Sequence, residues 1–130
     1  MIDRELQEIQ NAADGLYFIS ETDAPFDLVH FNTNSKSVED YLKQVNNKKP
    51  AVIETRTLDD FFKSSTTSYP TDTQEQSGRV QRFKFLKETL EHNLSEIIVY
   101  RIGQIQIDVY ILGKIKDGTY AGLHTRQVET

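Results

Sequence analysis

The chain has 130 residues, 37% hydrophobic and 27% charged, with a formal net charge of −5. That length suits one domain, residues 1–130, able to bury a core without covalent staples. The lack of cysteine excludes disulfides, thiol nucleophiles and cysteine-bearing zinc sites, and an isoelectric point near 5.2 argues against direct nucleic-acid binding.

Met1 to Gln10 is acidic and amphipathic, without the basic start and apolar run of a secretion signal. No stretch approaches the roughly 20 apolar residues of a membrane span. The expectation is a cytoplasmic protein with no membrane partner. Ile2, Leu6, Ile9 and Ala13 then form one stripe of an amphipathic helix over 2–13, which Asp14-Gly15 closes. Leu16–Ser20 reads as a short buried strand and 21–25 as a loop closed by Pro25. Phe26–Phe31 resumes as strand, with Phe26 and Leu28 on one face and Val29 and Phe31 on the other. A turn cluster at 32–36 follows.

Ser37 is placed to cap a helix through Asn46, with Asp40 in the capping-box position and Val38, Tyr41, Leu42 and Val45 facing inward. Residues 46–50 break it, 51–57 alternate as a strand, and Asp59-Asp60 open a short helical turn carrying Phe61 and Phe62. Ser64–Gly78 has no apolar periodicity and reads as a long loop, of the kind that is often functional. From Arg79 to Leu94 the stripe of Val80, Phe83, Leu86, Leu90 and Leu94 predicts a helix.

The last third is β. Ile97–Arg101 is one strand and Gly103 a turn. Ile105, Ile107, Val109 and Ile111 alternate with Gln106, Asp108, Tyr110 and Leu112. Asp117-Gly118 marks a hairpin, and Tyr120–Val128 returns, broken by Gly122. Because helices and strands are segregated along the chain, the expectation is an α+β fold with a largely antiparallel sheet.

Catalytic patterns are thin. His30, His92 and His124 fall in different elements without metal-ligand spacing, and no phosphate loop or nucleophile elbow is present. Asp59 and Asp60 are adjacent on a helix and point to different faces, which does not suit shared acid–base work. Asp108 is a polar residue inside an apolar strand, expected on the solvent or helix-edge face with Gln106; a hydrolase using Asp108 or His124 is the weakest of the functional readings. Arg79, Arg82, Lys84 and Lys87 are diluted by Glu88 and Glu91, as on a solvated helix face. The charge is asymmetric: residues 1–35 hold Asp3, Glu5, Glu8, Asp14, Glu21, Asp23 and Asp27 against Arg4 alone. Such a field repels nucleic acid and attracts basic surfaces.

Asp14-Gly15-Leu16-Tyr17-Phe18-Ile19-Ser20-Glu21 with Pro25-Phe26-Asp27, then Val99–Gly103, Asp108–Gly113, Ala121-Gly122-Leu123 and Val128-Glu129-Thr130, resembles the nuclease A inhibitor (NuiA-like) family. Weaker similarity runs through Asp60-Phe61-Phe62 to Thr66-Thr67 and the helix near Arg79. The resemblance implies a three-layer α/β/α sandwich, without cofactor or catalysis of its own. It implies a monomeric inhibitor that binds a Mg²⁺-dependent, sugar-non-specific DNA/RNA endonuclease one to one. Glu21 would meet an active-site arginine and Thr130 would reach toward the nuclease's metal. The surrounding contact surface is expected to include Thr22, Asp23, Thr67, Tyr69, Asp72 and Glu129. One departure stands out: the family's loop after Thr-Thr carries a tryptophan, whereas Ser68–Ser77 offers Tyr69. A binding module of the same fold with another partner is the alternative.

Overall fold

The computed structural model describes residues 4–19, 23–32, 37–45 and 53–129. Ile2, Glu21, Thr22, Thr130, most of the 32–36 turn and the 46–50 break lie outside these described residues.

Helix α1 (Arg4–Ala13) leads into strands β1 (Tyr17–Ile19), β2 (Asp23–Pro25) and β3 (Asp27–Phe31). Helix α2 (Val38–Val45), strand β4 (Ile53–Arg56) and helices α3 (Leu58–Phe62) and α4 (Gln74–Asn93) follow. Strands β5 (Ser95–Ile102), β6 (Gln106–Lys114) and β7 (Tyr120–Val128) complete the chain. The main sheet has the order β3-β7-β6-β5-β4, and every neighbouring pair is antiparallel.

Alternation in the strands feeds two cores. On one face Val99, Ile107, Val109, Ile111, Ala121 and Leu123 pack against α1, α3 and α4 through Ile9, Phe62, Phe83, Leu86 and Leu90. On the other, Phe31, Tyr100, Ile102, Tyr110 and Leu112 meet Val38 and Leu42 of α2. The chain is therefore an α+β protein with helices on both faces of an antiparallel sheet. Phe26 and Leu28 join the first core and Val29 and Phe31 the second, as their spacing predicts. The α2 stripe likewise buries Val38 and Leu42; the side chain of Val45 is outside what the structure describes.

Four expectations change. Asp23–Pro25 is a strand, not a loop: it pairs with β1, with Pro25 opposite Tyr17 at the end of a two-stranded ribbon, where a missing backbone donor is tolerated. Helix α4 begins at Gln74 rather than Arg79. Thr73 caps it, and Gln76 returns its side chain to the Thr73 backbone. The first five residues, Gln74–Gly78, are all exposed, so no apolar stripe marks them. Ile105 is not a core residue; it is 60% exposed in the turn before β6. Gly122 does not break β7, which pairs with β6 straight through it. Gly15 ends α1 in the left-handed conformation expected of it, with φ 74°.

Candidate partner-binding site

The β1–β2 ribbon is built on aromatic packing. Phe18 stacks on Phe61 with centroids 4.9 Å apart and meets the edge of Phe26 at 6.3 Å. Ile19 pairs with Asp23, and the predicted contacts Glu21 and Thr22 lie outside the described residues. Ala24 is buried, and its carbonyl accepts a long hydrogen bond, 3.4 Å, from the buried hydroxyl of Thr125. Thr125 thereby satisfies its own polar group and fastens the ribbon to β7.

The end of β7 is anchored in turn. Beyond the pairing of Val128 with Gln106, the Glu129 N–H donates to the Ile105 carbonyl at 2.9 Å. Arg101 Nη2 donates to Glu129 Oε1 at 2.8 Å while its Nη1 reaches Glu54 Oε2 at 2.9 Å. Gln127 Nε2 adds a bond to the same Glu129 oxygen at 3.2 Å. Ribbon and strand end share a groove lined by Asp23, Pro25, Gln106, Asp108, Arg126 and Val128. The described flanks of Glu21 and of Thr130 are thus brought to one end of the sheet, where β6 begins and β7 finishes.

Thr67, Tyr69 and Asp72 lie between α3 and α4 in a loop that organises itself. Thr67 Oγ1 donates to the Lys63 carbonyl at 2.6 Å, the Tyr69 N–H to Asp72 Oδ2 at 2.9 Å, and the Asp72 N–H to the Tyr69 carbonyl at 3.0 Å. Tyr69 is 61% exposed. These hydrogen bonds are local to the loop.

The basic residues of α4 have internal work. Arg82 Nη2 donates to the Asp14 carbonyl at 2.7 Å, satisfying the open end of α1. Lys87 sits 2.6 Å from Asp59, and that hydrogen bond holds its pKa above the ordinary lysine value of 10.5. Neither side chain is presented as part of a phosphate-binding face.

Asp108 and His124, distant in sequence, come together: Asp108 Oδ1 lies 2.9 Å from His124 Nε2, and Arg126 Nε is 3.8 Å from the same oxygen. Tyr110 stacks on the His124 ring at 4.5 Å. Burial pushes the Tyr110 phenol above its usual range, and the Asp108 carboxylate adds to the effect. The cluster lies on the sheet face that carries Gln106, as expected for Asp108. Among the described residues no group of three or more histidine, cysteine, aspartate or glutamate side chains is arranged to hold a metal. No helix among them is long and apolar enough to cross a membrane.

A family model described as nuclease A inhibitor-like protein matches residues 3–130. The chain belongs to this family. No curated protein matches it. In this nuclease A inhibitor-like chain the two segments of strongest resemblance, 14–27 and 99–130, occupy the β1–β2 ribbon and strands β5 to β7. The Thr125–Ala24 bond and the shared groove bring them together. Sequence reasoning missed Arg101, Glu54 and Arg126 at this edge. Their partners are set by strand register, and a one-residue slip would have paired each with something else.

Proposed function

We propose that the chain inhibits a Mg²⁺-dependent, sugar-non-specific endonuclease by seating this edge in the enzyme's phosphate-binding cleft, one monomer to one enzyme. The contact residues in this reading are Glu21, Thr22 and Asp23 on the ribbon, Thr67, Tyr69 and Asp72 on the loop, and Glu129 and Thr130 at the end of β7. Such a cleft is basic and holds a hard cation that wants oxygen ligands. A glutamate takes an arginine bidentately in place of phosphate, and the hydroxyl of Thr130 offers an oxygen to such a cation. The chain itself does no chemistry and uses no cofactor, and it acts from the cytoplasm.

One observation carries the reading. In a chain of an inhibitor family, the ribbon that brackets Glu21 and the strand that leads to Thr130 are bonded side by side through Thr125 and Ala24. Two separate acidic contacts delivered from one edge suit a concave basic site, and they cost little entropy to dock because the scaffold already orders their flanks.

The test is an inhibition assay with intact protein, Glu21→Ala and a form lacking Thr130. Each change weakens inhibition by roughly 30-fold, the ~2 kcal/mol of an interface hot spot, with unfolding unaltered. Unchanged potency in both variants would discard the assignment. The chain has no tryptophan, and that favours one further reading, a binding module of this fold with another protein partner. Tyr69→Ala separates the two: a loss of nuclease inhibition makes Tyr69 the substitute anchor. A chain that inhibits no such nuclease leaves the module.

A further inference from the structure

We propose that Arg101 is a positioning residue that holds the end of β7 in the geometry needed for inhibition, acting through Glu129 on Thr130 rather than by touching the nuclease. This rests on the inhibitor reading above. Three contacts converge on Glu129, the Ile105 carbonyl on its N–H and Arg101 and Gln127 on its carboxylate, while Glu54 holds the other arm of Arg101. Glu129 is tied to β5 by a guanidinium whose side chain is only 11% exposed. Its planar fork spans two carboxylates at once, a geometry that the point charge of a lysine does not reproduce.

Stability alone does not account for the arrangement. The Glu54 and Glu129 side chains are about half exposed, 48% and 53%, and pairs open to solvent contribute little to folding. What the clamp does is fix the orientation of Glu129, the residue before Thr130. Ordering before binding lowers the entropy cost of docking. Arg56 also reaches Glu54, at 3.0 Å, so Glu54 keeps a cationic partner when Arg101 is replaced, and the change falls on Glu129.

The experiment is a double-mutant cycle on the full chain, combining Arg101→Gln with removal of Thr130, read by nuclease inhibition and by hydrogen exchange at the Glu129 amide in the free protein. Arg101→Gln weakens inhibition about tenfold, speeds exchange at Glu129 and leaves the unfolding midpoint in place. In the chain lacking Thr130 it costs nothing more. Arg101→Lys restores part of the loss. Glu129→Gln breaks the same contact from its exposed side and repeats the pattern if Arg101→Gln folds poorly. Additive losses in the cycle, or unchanged Glu129 exchange, overturn the proposal. If the intact chain inhibits no such nuclease, the inhibitor reading and the role built on it fall, while faster Glu129 exchange in Arg101→Gln would still establish the clamp.

Discussion

A side-chain carbon at Gly122 would collide with the carbonyl oxygen of Ile111 on the neighbouring strand, and the φ of 157° there is one that other residues rarely adopt. Glycine in mid-strand therefore marks close backbone approach, not the strand break that the sequence alone invites. Gly122→Ala is expected to lower the unfolding free energy by about 3 kcal/mol or more, measured by urea denaturation; a wild-type curve would contradict the packing. Tyr100 and Tyr110 give a pH signature. Burial raises both phenols above the ordinary 10.0, with Glu39 adding to Tyr100 and Asp108 to Tyr110. A proton held more tightly in the folded state stabilises the fold fully below the unfolded value, and that contribution disappears as pH rises through the higher folded values. Melting temperature should fall above pH 10.0, and Tyr110→Phe should make the fall shallower. An equal fall in both proteins would remove Tyr110 from the account. No sequence pattern reveals this, since Tyr110 looks like the polar half of an alternation until α2 covers it.

Element boundaries were legible wherever an apolar stripe reached them. Phe83, Leu86 and Leu90 announce α4, yet its first turn is invisible because Gln74–Gly78 point to water. The Thr73–Gln76 capping box holds that turn instead. Thr73→Ala is expected to destabilise the protein by about 1 kcal/mol and to reduce helical ellipticity slightly, and no change would leave the cap idle. Strand β2 was hidden for the opposite reason: Pro25 reads as a loop signal, and only pairing with Tyr17 shows the edge position that accommodates it. Lys87 and Asp59 belong to the same lesson. A basic helix face looks solvated until α3 arrives beside it.

At the scale of the molecule, the antiparallel sheet and its helical layers follow from periodicity, while the site follows from topology. Asp23 and Val128 are more than a hundred positions apart, and they line one groove because β2 lies beside β7. That neighbourhood joins the ribbon carrying Asp23 to a tethered strand end, while Glu5 and Glu8 of the acidic first 35 residues lie beside Ser95 and Lys114 at the opposite end of the sheet. Association with a basic cleft is expected to slow as salt rises, by the screening of exposed charge; stopped-flow association rates indifferent to salt would contradict a steered encounter. In the proposed function the chain occupies the nuclease's own substrate cleft. The most direct test is steady-state cleavage of nucleic acid at several fixed concentrations of the chain: the account predicts a rising apparent KM with kcat unchanged, and a falling kcat at constant KM, or no inhibition at all, would contradict it.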